Sequence, residues 1–149
     1  MRKIEYDQRW DDPVNQWLTT SPWHAFCWWS DENGVHTNVV AITGRGTAFE
    51  EGRVVRLKDI PPDTILVVEI AKSSICWAEP GDLDIEHVPE SLARGVDGGG
   101  VHVLFADAAV WFLRADVPLG ELREFVTIEG AKRYDREQVL RPYAIYRSK

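Results

Sequence analysis

Residues 99–113 decide the fold, and their sequence is GGVHVLFADAAVWFL. Two apolar runs, 101–106 and 110–113, flank the short segment Asp107-Ala108-Ala109. Two strand-forming runs separated by so few residues predict a β-hairpin.

The segment after this hairpin predicts a helix. Residues 118–126 place apolar side chains on one helical face, namely Leu119, Leu122, Phe125 and Val126. Asp116 precedes them as a candidate cap, and Gly130 follows as a candidate stop signal. The spacing therefore predicts an amphipathic helix that covers the hairpin.

Strand signals dominate the middle of the chain. Residues 64–70, TILVVEI, are apolar on both faces for most of their length, which is typical of a central strand covered on both sides. Shorter candidate strands occupy 37–42, 53–57 and 74–78, and the tail from residue 139 to 146 predicts a last edge strand.

A short N-terminal helix is predicted after Asp11-Asp12-Pro13, with Val14, Trp17 and Leu18 on its apolar face. Helices near the two ends and strands between them favour an α+β fold over a doubly wound parallel one. We expect a mainly antiparallel sheet with a short N-terminal helix and one amphipathic helix after the C-terminal hairpin.

The composition is that of one folded domain spanning residues 1–149. The 149 residues are 44% hydrophobic and 28% charged, which argues against disorder and coiled coil. Seventeen basic and 24 acidic side chains give a net charge of −7, so nucleic acid is not an expected partner. No apolar run reaches the roughly 20 residues that a membrane helix needs, and no signal segment is evident.

Several blocks resemble one bacterial family. The 99–113 stretch is similar to the signature of the prepilin-type H-x9-DG domain. Further similar blocks follow the family's order: 10–15 (WDDPVN), 26–31 (FCWWSD), 44–49 (GRGTAF), 59–69 (DIPPDTILVVE) and 77–83 (WAEPGDL). The resemblance covers about residues 6–130 and leaves 131–149 as a C-terminal extension.

The chain departs from this family at defined positions. The family histidine falls on Asp97, the glycine of Asp-Gly is Ala108, and Pro61-Pro62-Asp63 shortens the segment before the central strand. The leader and long apolar helix that usually begin such proteins are not seen, which suggests an excised domain or a gene without its anchor.

The resemblance implies the globular head of a pseudopilin-like protein in the cell envelope or outside the cytoplasm. We expect a non-enzymatic role without a cofactor, in which the partner is a protein in an assembly or a second copy of the chain. A small-ligand or carbohydrate-binding module is the alternative.

Acidic loop residues raise the question of a metal site. Glu79, Asp82 and Asp84 are weak candidates for calcium, which takes six to eight oxygen ligands. The spacing supplies only a fragment of a calcium-binding loop, so solvated carboxylates are the competing interpretation. A glycosidase-like acid/base pair could come from the same set, but nothing selects two members.

Tryptophans suggest a binding surface. The adjacent side chains of Trp28 and Trp29 point to opposite sides of an extended segment, so one of them is expected to be exposed, and Trp23 lies nearby. Exposed aromatic rings stack on sugars or anchor protein partners. The alternative is that these rings cover the sheet.

Two cysteines leave their chemistry open. Cys27 and Cys76 could form a disulfide or remain buried thiols. A nucleophile or zinc site built from His24 and Cys27 would need further ligands, for which only His36, Cys76, His87 and His102 remain.

Asp107 and Ala108 are predicted to form a structural turn rather than a catalytic pair. Asp-Gly favours a two-residue hairpin because glycine accepts positive φ. Ala108 would be strained in a type I′ turn, so either strain or another turn geometry is expected.

Overall fold

A six-stranded mixed sheet is the centre of the structure, a computed structural model that describes residues 3–20, 35–71, 73–79, 81–88, 92, 95 and 98–147. Its strands are β1 (Val39–Thr43), β2 (Ile65–Glu69), β3 (Leu83–Asp84), β4 (Gly100–Phe105), β5 (Val110–Arg114) and β6 (Ala144–Arg147). The spatial order is β3-β1-β2-β4-β5-β6, and among these pairs only β1 with β3 is parallel. The predicted α+β class with a mainly antiparallel sheet is confirmed.

Short helices follow the hairpin. They are α1 (Leu119–Val126), α2 (Ile128–Arg133) and α3 (Arg136–Val139), and single 3₁₀ turns occur at Gln16–Thr20, Leu57–Asp59, Ile85–His87 and Arg141–Tyr143. Within the described ranges, no helix has the length and apolar character needed to cross a membrane.

The side chains of β4 point alternately to the two faces of the sheet. Val101, Val103 and Phe105 are buried in the core with Leu122 and Phe125 of α1. The intervening side chains of β4 lie on the opposite face and are half-buried. The core therefore fills one side of the sheet, as the period of two predicts.

The reversal between β4 and β5 uses a three-residue loop. The Ala108 N–H donates to the Phe105 carbonyl at 2.9 Å, and the Phe105 N–H donates to the Ala109 carbonyl at 2.9 Å. Ala108 has φ +67°. These bonds fit a type I turn followed by a left-handed residue. Of the two outcomes that the sequence left open, the structure therefore shows another turn geometry and not a type I′ turn.

Three sequence expectations are wrong in detail. The N-terminal helix is only the 3₁₀ turn Gln16–Thr20, because residues 10–15 before it form turns, where the Asn15 side chain bonds to the Glu5 N–H and carbonyl. Residues 53–57 form no strand, since nothing in the described chain pairs with them. Residues 74–78 contribute only one isolated bridge, between His36 and Cys76.

The ends of α1 also differ from expectation. Its N-cap is Pro118, while Asp116 pairs with Arg114 at 2.8 Å. Gly130 does not end a helix but lies inside α2, where an added Cβ would overlap the Glu124 carbonyl oxygen of α1. Because Gly130 has no side chain, α1 and α2 can pack this closely against each other.

Candidate functional site

An open apolar groove of about 530 Å³ lies beside the sheet. Its lining is mostly apolar and comprises Ala48, Phe49, Glu50, Arg53, Val54, Val55, Leu57, Ile60 and Leu66. All of these residues come from the segment between β1 and β2 or from β2 itself.

Glycine turns shape the segment that lines the groove. Gly44 and Gly46 both have positive φ, and the Gly46 carbonyl accepts a bond from the Ile128 N–H at 2.9 Å, which ties the segment to α2. Gly52, with φ +73°, allows a second reversal, at which the Arg53 N–H donates to the Glu50 carbonyl at 3.2 Å. Residues 54–57, which follow this reversal, pair with no strand in the described part of the chain.

The walls of the groove are unusually exposed for apolar side chains. Val54 is 93% exposed, Leu57 is 66% exposed and Phe49 is 45% exposed. Leu66 of β2 also lines the groove, at a register shift between Ile65 and Val67 in the pairing with β4. Contiguous exposed apolar surface of this kind marks interaction sites.

Charged side chains of both signs occur along the segment that lines the groove. Arg53 pairs with Glu50 at 3.0 Å, and this bond, together with the Gly46 N–H, holds the pKa of Glu50 below its ordinary value. Residues 48–60, which span the lining before β2, carry three basic and three acidic side chains. Arg56 and Lys58 are exposed and form no salt bridge with any residue that the structure describes. The segment that lines the groove therefore carries no net charge.

A second, smaller recess lies on the face of the sheet opposite the core. There the buried Glu69 of β2, 5% exposed, lies against His102 of β4: its Oε2 is 2.5 Å from the imidazole Nδ1 and accepts the His102 backbone N–H at 3.1 Å. The imidazole packs against Phe112 with ring centroids 4.6 Å apart. The carboxylate therefore orients the imidazole.

The remaining lining of this recess is apolar. Its volume is about 190 Å³, and the other residues around it are Val39, Val67, Val68, Val103, Leu104 and Val110. Among the residues that the structure describes, this lining offers no hydroxyl, thiol or second acid beside the imidazole.

The acidic candidates for calcium serve separate backbone groups. Glu79 accepts from the Cys76 N–H at 3.2 Å, Asp82 from the Ala41 N–H at 3.1 Å, and Asp84 from the Glu86 N–H at 2.9 Å. In the part of the chain that the structure describes, no three His, Cys, Asp or Glu residues gather as a possible metal site. The structure does not bring these carboxylates together.

The proposed tryptophan surface and one cysteine fall outside the described residues. These are Trp23, Trp28, Trp29 and Cys27. Cys76 is a buried free cysteine. The Cys27–Cys76 disulfide is therefore not formed in the structure, and the buried-thiol alternative holds for Cys76. The carbohydrate surface stays a prediction.

Sequence reasoning missed both the groove and the Glu69–His102 pair. The Val54-Val55 pair was interpreted as part of a strand, although Gly52 before it and Pro61 after it leave little room for pairing. The Glu69–His102 contact joins residues 33 positions apart, so it follows from the pairing of β2 with β4 and not from a local motif.

Comparison with known protein families, curated proteins and solved structures found no significant match to this chain.

Proposed function

We propose that this chain is a non-enzymatic protein-interaction domain, a pseudopilin-like head whose partner binds the apolar groove between Phe49 and Leu66. The exposure of Val54 and Leu57 carries this proposal. Removing such side chains from water is the main favourable term in protein association.

The shape of the groove favours a protein over a small molecule. Small-ligand sites enclose most of the ligand's surface. This groove has walls that are themselves largely exposed at Val54, Leu57 and Phe49, so it would leave a small ligand in contact with water. A protein surface can cover these walls from outside.

A photo-crosslinking amino acid at position 54 tests the proposal. Exposed to light in an extract of the native host, it should form discrete protein adducts. The matched control places the same group at position 145, because Ile145 is also an exposed apolar residue but lies away from the groove on β6. Equal adducts at both positions, or none at position 54, would contradict the proposal.

Small-ligand binding at the Glu69–His102 recess is a second candidate. The oriented imidazole beside apolar walls favours it, whereas the volume of about 190 Å³ lies below the usual range of roughly 300–1,000 Å³ for ligand pockets. A fragment screen followed by the His102 ring resonances in NMR tests it. If no fragment shifts those resonances, the recess is structural.

A further inference from the structure

The peptide bond between Arg53 and Val54 is exposed and lies outside any backbone pairing. The Arg53 side chain is 57% exposed, and Val54 is 93% exposed. Among the residues that the structure describes, neither the Arg53 carbonyl nor the Val54 N–H takes part in a backbone hydrogen bond. Exposed loop backbone of this kind is where proteases cut folded proteins, because an enzyme reaches it without unfolding the core.

The turn before this bond presents it at the surface. Gly52 has φ +73°, and the Arg53 N–H donates to the Glu50 carbonyl at 3.2 Å, so the chain reverses just before the bond. Residues 54–56 after it belong to no helix or strand, and Arg56 is extended, with φ −85° and ψ 139°. An enzyme that recognises an extended segment through its main chain needs such unpaired N–H and C=O groups.

Other basic residues between positions 9 and 141 of the described chain lie in hydrogen-bonded structure. Those within strands and helices are Arg114 in β5, Arg123 in α1, Lys132 and Arg133 in α2, and Arg136 in α3. Those whose carbonyl accepts a backbone N–H are Arg9, Arg56 and Arg141. Lys58 lies in the 3₁₀ turn Leu57–Asp59, and Arg45 precedes Gly46, whose N–H donates to the Glu50 carboxylate at 3.2 Å. The bond after Arg53 differs from all of these.

We propose that the Arg53–Val54 bond is a site of limited proteolysis by an endopeptidase of the trypsin class. The acidic specificity pocket of such an enzyme binds the Arg53 guanidinium, whose exposed pair with Glu50 is weak. Water is the co-reactant: the C–N bond breaks, Arg53 ends in a carboxylate, and the Val54 nitrogen becomes an ammonium group. This inference goes beyond the proposed function and does not depend on it.

The cut leaves the sheet in place as two chains. The first fragment keeps β1, which pairs with β2 and β3 of the second fragment. Val40 and Ile42 of β1 are buried in the core at 2% and 1% exposure, and the Ile70 N–H donates to the Asn38 carbonyl at 2.8 Å. Separation would expose these side chains to water, so the fragments stay associated.

Brief digestion of the folded full chain with a low ratio of trypsin tests the proposal. By intact mass, the first cut between residues 10 and 140 should give fragments that end at Arg53 and begin at Val54. The two fragments should elute together in size-exclusion chromatography and separate only in concentrated guanidinium chloride.

Substitutions provide an independent arm. Arg53→Gln should slow the first cut by about tenfold or more, because the remaining sites open only through local unfolding. The matched control Arg56→Gln should leave the rate unchanged, and Arg53→Lys should keep the cut because trypsin accepts both basic side chains. All three variants should melt close to the wild-type temperature, since an exposed ion pair contributes little.

A first cut after any other basic residue between positions 10 and 140 would overturn the inference. An Arg53→Gln variant cut as fast as the wild type would do the same, and fragments that separate without denaturant would refute the two-chain state. Adduct formation at position 54 is a separate readout, so either proposal can fail while the other stands.

Discussion

Arg136 lies over the ring of Phe105, with its guanidinium carbon 4.5 Å from the ring centroid. The same guanidinium is 5.2 Å from the Trp111 ring and pairs with Asp107 and Asp63. One side chain of the C-terminal extension thus joins α3 to the hairpin turn and to the segment before β2. The turn aspartate is a structural anchor.

Removing the Arg136 side chain should destabilise the fold. We expect Arg136→Ala to lower the free energy of unfolding by about 3 kcal/mol, because two carboxylates lose their partner and two aromatic rings lose a packing surface. Arg136→Lys should recover only part of the loss, since an ammonium lacks the planar fork. Urea denaturation measures both, and a lysine variant as stable as the wild type would contradict the stacking role.

The pairing of Arg136 with Asp107 also predicts that the stability of the fold depends on pH. Arg136 holds the pKa of Asp107 below its ordinary value, against the opposing effect of partial burial. The folded state therefore binds this proton less readily than the unfolded chain, whose pKa is about 3.9. The contribution to stability is complete above that value and is lost as the pH falls through the lowered pKa of the folded state.

Asp107→Asn should remove this part of the acid dependence. At pH 7 the variant should be less stable by about 1–2 kcal/mol, and the difference from the wild type should shrink as the pH falls below 4 (roughly the unfolded pKa). Asp59→Asn, at an exposed aspartate outside the described ion pairs, is the control. A difference that stays constant from pH 7 to acid would refute the assignment.

The hairpin turn carries strain that glycine would relieve. Ala108 is exposed and adopts φ +67°, a conformation that costs a residue with a Cβ about 1 kcal/mol. Ala108→Gly should raise the melting temperature by about 3 °C. Ala109→Gly, at a buried neighbour whose φ is not positive, should lower it. Calorimetry distinguishes the two, and equal effects would show that the turn is unstrained.

Two glycines in neighbouring helices should respond to alanine in opposite directions. Gly130→Ala should destabilise by about 3 kcal/mol, because the new Cβ would overlap the Glu124 carbonyl oxygen. Gly120→Ala should stabilise by roughly 0.5–1 kcal/mol, since nothing lies within 4 Å of its Cβ position. Chemical denaturation of both variants checks the pair, and a neutral Gly130→Ala would mean that α1 and α2 separate at little cost.

The hairpin, the central strand and α1 were predictable because their signals are local. The alternation of Val101, Val103 and Phe105 and the helical spacing of Leu122 and Phe125 fix the buried face without knowledge of the partners. For Ala108 the sequence leaves two outcomes open, strain in a type I′ turn or another turn geometry, and the structure shows the second, with φ +67°. These elements form the core and place the two candidate sites.

The candidate sites were not predictable because they depend on long-range placement. Arg136 meets Asp107 and Asp63 from 29 and 73 residues away, and Glu69 meets His102 only through strand pairing. Residues 53–57 have strand-forming composition but no partner in the described chain, so their apolar side chains line a groove instead. A one-dimensional pattern does not specify which strands find a partner.

Hydrogen–deuterium exchange of the groove, measured with and without the protein that forms adducts at position 54, tests the central claim most directly. The account predicts that amides in residues 48–60 exchange more slowly in the presence of that protein, and that Val54→Asp abolishes this protection. Protection that appears on another surface while residues 48–60 exchange as before would contradict the account.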